Sequence, residues 1–351
     1  MTAGKRKNAW RETPLVESVN LSKAAGCRIF LKLDNLQPSG SFKSRGLGNL
    51  VQQSLSRCKD PANAHFYSSS GGNAGLGCVH AANFVGRPST VVVPISTKPM
   101  MIAKLRAAGA TQVIQHGAHW SEADRHLREV VMKSATARGE EPVYVHPFDH
   151  PDIWQGHSSL VDELATQFIE QDIESPPDLI VCSVGGGGLF NGIAQGIHNQ
   201  GELWKRRTKI LAMETAGADA LSQSLAAGKR VTLPAITSLA TSLGAVQVCE
   251  RTFNLAQQYR ASGMLHNAVL TDAEAAMGCW RFADDERMLV ELACGVSVAI
   301  SYGRRLEAIL GRPVTSDEKV VIVVCGGSAM SVETVESWRK QYGGSHPVHM
   351  V

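Results

Sequence analysis

The stretch LIVCSVGGGGLFNG, residues 179–192, decides the fold. Residues 179–184 form a short apolar run without alternation, the pattern of a strand covered on both faces, as in parallel sheets. The run passes directly into Gly185, Gly186, Gly187 and Gly188 and then into a helical pattern. The same unit of strand, Ser/Gly-rich turn and helix recurs in AHFYSSSGGNAGLG (64–77) and VVIVVCGGSAMS (320–331). Further apolar runs at 29–33, 90–94, 111–115 and 210–213 alternate with amphipathic stretches at 121–137, 158–171, 272–284 and 296–310. This alternation predicts right-handed βαβ units and an α/β fold of open, twisted, mostly parallel sheets flanked by helices.

The chain has 351 residues, 44% hydrophobic and 19% charged, enough apolar content to build a core and long enough for two domains. Its 33 Gly and 14 Pro show no three-residue period, which excludes a fibrous chain. With 35 basic and 32 acidic residues the formal charge is +3. The two tight basic clusters, Lys5-Arg6-Lys7 and Lys205-Arg206-Arg207, carry no interleaved aromatics, so a nucleic-acid partner is not expected. No apolar stretch approaches the ~18 residues needed to cross a bilayer. The eight cysteines form no Cys-x-x-Cys pair, and with no signal peptide a reducing compartment follows. A cytoplasmic location is expected; the basic amino terminus, which lacks a convincing amphipathic presequence, leaves a mitochondrial one open.

At each glycine turn the first amides of the following helix lack intrahelical partners, and with the helix dipole they suit an anion. Residues 185–188 can serve as a phosphate cradle or as a site of close packing. The loop fails the dinucleotide fingerprint because Phe190 or Asn191 stands where the last glycine belongs, and no P-loop or nucleophile elbow is present. A mononucleotide or a small phosphorylated cofactor remains. Ser70, Gly71, Gly72, Asn73 and Ala74 offer hydroxyl, amide and N–H groups suited to a carboxylate; the bland alternative is a plain helix cap. Cys325 lies at the carboxyl end of a strand, the edge where open α/β sheets bind ligands. Lys43, beside Phe42, follows a Pro/Gly turn at a helix start, where a depressed pKa yields a usable amine; the alternative is an exposed first-turn lysine.

The segments LQPSGSFKSRG (36–46), SSGGNAG (69–75), HPFDHPDIWQGH (146–157), CSVGGGGLFNG (182–192), ETAGA (214–218), TSLATSLGA (237–245), VELACG (290–295) and VCGGS (324–328), in this order, resemble the catabolic L-serine/L-threonine dehydratases (ammonia-lyases) of pyridoxal-phosphate fold type II. The resemblance covers nearly the whole chain. It implies pyridoxal 5′-phosphate in a cleft between two domains, with residues 1–45 plus 141–351 as the large domain and 46–140 as the small one. Carried over residue by residue, Lys43 would bind the cofactor aldehyde as a Schiff base and act as the catalytic base. Phe42 would pack on the ring and Asn73 bond its 3′-oxygen. Gly185, Gly186, Gly187, Gly188 and Leu189 would hold the phosphate, and Cys325 would face the ring nitrogen. Ser70, Gly71, Gly72, Asn73 and Ala74 would bind the substrate carboxylate. The implied reaction is α,β-elimination of water from L-serine and L-threonine, giving pyruvate or 2-oxobutyrate and ammonia, with the cofactor phosphate as candidate acid for the leaving hydroxyl.

A monovalent-cation site is implied too, with potassium (K+) held by Glu214 and the backbone of Gly185, Ala218, Leu243 and Ala245. The bland reading of Glu214 is a buried helix cap. Gly71 replaces a serine found in related racemases, which disfavours racemisation. Leu292 stands where the family usually has proline, a change expected to reshape the loop beside Glu291. His146, His150 and His157 cluster in sequence, but their spacing fits no helical ligand pattern. A homodimer is implied by resemblance, and the short stretch after the last motif suggests no regulatory domain. β-Replacement chemistry and a non-catalytic amino-acid-binding homologue stay open as alternatives.

Overall fold

The computed structural model describes residues 8–343, so the Lys5-Arg6-Lys7 cluster lies outside the described residues. In chain order the strands are β1 (Leu15–Glu17), β2 (Arg28–Lys32), β3 (Ala64–Ser68), β4 (Ser89–Val93), β5 (Gln112–Gln115), β6 (Glu141–Tyr144), β7 (Leu179–Ser183), β8 (Lys209–Thr215), β9 (Leu265–Leu270) and β10 (Lys319–Val323). They form a six-stranded sheet in the order β1-β2-β10-β7-β8-β9 and a four-stranded sheet in the order β5-β4-β3-β6. Every pairing is parallel except β1 with β2. The α/β architecture of two mostly parallel sheets flanked by helices is as the alternation of runs predicts.

The chain divides into two compact units, one of residues 1–11 with 37–156 and one of residues 12–36 with 157–351. The sequence-based limits 46–140 differ from the first unit by three stretches, residues 1–11, 37–45 and 141–156. Residues 37–45 lead into the continuous helix Lys43–Arg57, and β6 pairs with β3 through four residue pairs. Residues 141–144 are a strand although Pro142 and a half-exposed pattern hide it from a periodicity search.

In the first unit both faces of the four-stranded sheet are covered. Phe66 packs with Leu47, Leu50, Cys78 and Ile153 on one face, while Tyr67 packs with Val92, Ala123, Leu127 and Ala135 on the other. Adjacent residues of β3 thus enter opposite cores, as pleating requires. In the second unit β7 and β10 are buried along their whole length, which is why their sequences read as unbroken apolar runs.

Each sheet reverses its strand order once. From β3 the chain builds outward through β4 and β5, then returns to place β6 on the other side of β3. From β7 it builds through β8 and β9, then returns to place β10 on the other side of β7. Such reversal points leave a crevice at the carboxyl ends of the strands, where the flanking helices depart on opposite faces. The turns after β3 and β6 meet at the first crevice, and the turns after β7 and β10 at the second.

Two expected helices are interrupted. The stretch 121–137 is α-helical at Trp120–His126 and Met132–Ala137, with a π-helical turn at Leu127–Val131 between them. The stretch 296–310 breaks because Gly303 and Arg304 adopt left-handed φ of 62° and 56° before the helix Arg305–Leu310 begins. The helix Leu292–Val298 lies tightly against the helix Asp272–Glu286. A Cβ on Gly295 would sit 2.4 Å from both the Ala275 carbonyl oxygen and the Cys279 Sγ. Gly295→Ala therefore overpacks this contact and is expected to destabilise the protein by about 1–3 kcal/mol, seen as a lower urea midpoint at unchanged m-value.

Candidate active site

In the four-stranded unit, Lys43 is the first residue of the helix Lys43–Arg57, with Phe42 at the cap position. Its Nζ donates to the Pro147 carbonyl at 2.7 Å and lies 5.1 Å from the Phe42 ring centroid. Pro147 belongs to the turn after β6, so the amine is held at the reversal point. The helix Asn73–Phe84 lies close behind it: a Cβ on Gly77 would be 3.4 Å from the Lys43 Cβ and 2.9 Å from Leu47 Cδ1.

His146 builds the turn that carries Pro147. Its Nδ1 accepts the backbone N–H groups of Phe148 (3.2 Å) and Asp149 (2.7 Å). An acceptor nitrogen must be unprotonated, and burial together with the nearby Lys43 pushes the His146 pKa down to about 4, although the Asp149 and Asp124 carboxylates pull it up. His150 Nδ1 likewise accepts the Asp152 amide at 3.1 Å. These two histidines thus use Nδ1 to cap turns. Among the described residues no group of three or more His, Cys, Asp or Glu is arranged to hold a metal ion.

Ser70, Gly71, Gly72, Asn73 and Ala74 form the turn between β3 and the helix Asn73–Phe84. Ser70 Oγ accepts the Gly72 amide at 3.3 Å. The Gly71 and Ala74 amides meet no protein acceptor among the described residues. A Cβ on Gly71 would meet Thr97 Cγ2 at 2.8 Å and Val93 Cγ1 at 3.2 Å, so a serine at this position would also require Thr97 to yield.

Asp124 anchors this loop, a residue that sequence reasoning passes over. It is buried, and its Oδ1 accepts the Ser69 hydroxyl at 2.8 Å and the Tyr144 hydroxyl at 2.5 Å, while Oδ2 pairs with Arg128 Nε at 2.8 Å. The available signal is an acidic residue in helical register with Leu127 and Val131 on an otherwise apolar stripe.

In the six-stranded unit, Gly185, Gly186, Gly187, Gly188 and Leu189 turn from β7 into the helix Gly188–Asn199. None of their five backbone amides meets a protein acceptor among the described residues. Below the loop, Thr252 Oγ1 lies 3.1 Å from Asn191 Oδ1 and 3.5 Å from the Gly186 carbonyl, and Asn191 Nδ2 reaches Cys249 Sγ at 3.2 Å. The side chain of Asn191, which breaks the dinucleotide fingerprint, therefore props the loop from beneath.

Cys325 follows β10 and is buried 3.5 Å from Ser183 Oγ at the end of β7. The Cys294 thiol hydrogen-bonds its sulfur and holds the Cys325 pKa below the ordinary thiol value, while Cys294 is raised by the same contact. All eight cysteines are present as thiols rather than in disulfides.

Both Glu214 oxygens accept amides, Oε1 from Leu221 and Oε2 from Ser222, each at 2.8 Å. Its side chain therefore does act as the cap of the helix Ala220–Ala227. Burial raises its pKa to about 7 against the pull of these bonds. Leu243 packs on the glycine loop: a Cβ on Gly185 would lie 3.1 Å from Leu243 Cα and 3.2 Å from its carbonyl oxygen, which itself accepts the Ala245 amide at 2.7 Å. The Ala218 amide donates to the Thr215 carbonyl at 2.8 Å. Leu292, expected to reshape its loop, is instead the first residue of the helix Leu292–Val298. This is a position at which proline too is favoured.

The five unmet amides fit a phosphate, which offers several acceptor oxygens and carries the charge a helix start favours. Residues 7–326 match the family described as pyridoxal-phosphate dependent enzyme, and the chain belongs to that family. It is 41% identical to the catabolic L-serine/threonine dehydratase of Saccharomyces cerevisiae, over 95% of this chain and 92% of the relative. It is likewise 41% identical to a serine dehydratase-like protein of Mus musculus, over 95% of each. Among solved structures it is similar to a fungal L-serine ammonia-lyase from Rhizomucor miehei, with 33% identity and a TM-score of 0.83 over 96% of this chain and 100% of that one.

The His146 geometry sets a pH dependence. Its folded pKa lies below the ordinary value of 6.5, so the unfolded chain binds more protons between about pH 6.5 and 4, and stability falls as pH is lowered through that window. His146→Asn keeps an acceptor but cannot titrate. The stability gap between wild type and variant should narrow as pH drops from about 6.5 to 4 in urea titrations; a constant gap would refute the depressed pKa.

Proposed function

We propose that this protein is a pyridoxal-phosphate-dependent lyase that removes ammonia from L-serine and L-threonine, leaving pyruvate and 2-oxobutyrate. The carrying observation is the 41% identity with a catabolic L-serine/threonine dehydratase over 95% of the chain. The site geometry supports it. Pyridoxal phosphate, when bound, supplies an electron sink that acidifies the Cα hydrogen of an amino acid.

Lys43 supplies the amine that carries the cofactor and takes the Cα proton; its placement on the Pro147 carbonyl keeps the nitrogen at the strand ends, where it is needed. The free Gly71 and Ala74 amides, with Ser70, Gly72 and Asn73, receive the substrate carboxylate. Gly71 has no side-chain proton to deliver to the opposite face of Cα, which favours elimination over inversion. The amides of Gly185, Gly186, Gly187, Gly188 and Leu189 would hold the phosphate, Phe42 and Asn73 would hold the ring, and Cys325 would be the partner of its nitrogen. A thiol at that position would be only a weak donor to the ring nitrogen, a partner that would suit elimination better than transamination.

Potassium at Glu214, with the backbone of Gly185, Ala218, Leu243 and Ala245, is part of this reading, as are a homodimer and a cytoplasmic location. These rest on family resemblance. The contact of Gly185 with Leu243 supports the cation site by bringing two of its backbone groups together.

The deciding assay measures keto-acid release from L-serine, L-threonine and bulkier β-hydroxy amino acids, with and without potassium. Release from serine and threonine, raised by potassium, is expected. Turnover of neither would overturn the reading. Lys43→Ala should abolish release and the visible absorption of the covalently held cofactor while leaving the fold intact by circular dichroism. Retention of both would remove Lys43 from its role.

A further inference from the structure

We propose that Glu291 is a positioning residue that fixes the spacing between the two glycine turns of the six-stranded sheet, and so controls how firmly the cofactor is held. The inference rests on the reading of residues 185–189 and Cys325 as cofactor-facing, and deepens it.

Glu291 stands at the cap of the helix Leu292–Val298, yet its side chain caps nothing there. It is 6% exposed and reaches away from the helix instead. Oε1 accepts the backbone amide of Ala329 at 2.8 Å. Oε2 accepts the Ser242 hydroxyl in a short bond. The Glu291 amide donates to the Gly326 carbonyl at 3.3 Å. Gly327, with φ of 119°, lies so near that a Cβ there would fall 2.2 Å from Glu291 Cδ. One side of the carboxylate is thus locked into the turn that follows Cys325.

The other side is locked into residues 241–243. Ser242 bonds the carboxylate while the next residue, Leu243, packs directly on Gly185. Glu291 is therefore the shared contact of two segments, one seating the first glycine of the cradle and the other following Cys325. A phosphate and a ring nitrogen belonging to one rigid molecule need these turns at one fixed distance. A buried carboxylate is expensive unless fully bonded, and here backbone and hydroxyl donors satisfy it at the two places that must be held. Ser242 itself is exposed, so its hydroxyl has no packing reason to point inward.

The two bonds make separable demands. Gln at 291 can accept from Ala329 and donate to the Ser242 oxygen, preserving the link without the charge. Ala severs both arms, and Ser242→Ala severs one.

The experiment titrates apo-protein with pyridoxal phosphate, following tryptophan fluorescence, for wild type, Glu291→Gln, Glu291→Ala, Ser242→Ala and the double variant, with thermal melting of each apo form alongside. Glu291→Ala should weaken cofactor binding about tenfold or more, and Glu291→Gln by no more than about threefold. Ser242→Ala should weaken it about threefold alone and add nothing to Glu291→Ala. Cofactor affinity within about twofold of wild type in Glu291→Ala, or effects of the two single variants that multiply, would overturn the proposal. A melting shift without an affinity change would do the same, since it marks a purely structural role. Should Glu291→Ala fail to fold, unchanged affinity in the exposed Ser242→Ala variant overturns the proposal. These readouts do not depend on the substrate. A wild type that binds the cofactor but releases no keto acid sinks the dehydratase reading and leaves this one standing.

Discussion

A parallel sheet that grows outward and then returns to its starting strand must open somewhere, and each sheet of this chain opens once, between β3 and β6 and between β7 and β10. At those points the helices leave on opposite sides, and the amides at their starts have nothing of their own to bond. The chain places its least ordinary residues there: Lys43 against the turn after β6, the Ser70–Ala74 loop after β3, the four glycines after β7 and Cys325 after β10. These residues are spread from position 43 to position 325 of the sequence, and within each sheet it is the reversal that brings its two turns together.

Three buried carboxylates show how such crevices are kept in shape. Asp124 gathers two hydroxyls and an arginine and thereby fixes Ser69, the residue before the first loop. Glu291 gathers an amide and a hydroxyl beside the turn after Cys325. Glu214 gathers two amides at a helix start. In each the charge is surrounded by donors, the condition under which burying a carboxylate is tolerable. The Ser69 bond of Asp124 and the Ser242 bond of Glu291 are not legible from sequence, because these donors lie 55 and 49 residues away, whereas Glu214, whose donors follow seven and eight residues on, is readable as a helix cap.

Sequence legibility followed a physical rule. β7 and β10 were plain to see because burial on both faces favours near-continuous apolar runs. β1 has three residues, β6 contains Pro142 and β9 carries His266 and Asn267, so their assignment depends on pairing partners that periodicity does not reveal. The helix Pro151–Glu170 begins seven residues before the predicted 158, since Pro151 preorganises its first turn and Gly156 lets it lie on Arg45, where a Cβ would fall 2.4 Å from the carbonyl oxygen. The π-helical turn at Leu127–Val131 has no signature in hydrophobic spacing at all. The glycine turns after β3, β7 and β10 were legible because they directly follow strands, whereas side chains that work through a distant backbone group were not.

The run of four glycines illustrates why two readings of one motif need not compete. Residues 185–188 can be glycine because a ligand must approach the backbone or because protein must. At Gly187 the reason is protein: φ is 94°, and a Cβ would lie 2.0 Å from Thr252 Oγ1. At Gly185 it is protein again, with Leu243 pressed against the position a Cβ would take. Close packing thus accounts for two of the four glycines without invoking any ligand. Yet the consequence of that packing is a loop held from below by Thr252, Asn191 and Leu243, with all of its amides left unmet. A flexible loop with the same amides would have to be ordered by the anion it binds, and that entropy would be subtracted from affinity. The protein contacts order it beforehand. Close packing of the glycines and a preordered row of unmet amides are thus one and the same feature of the fold.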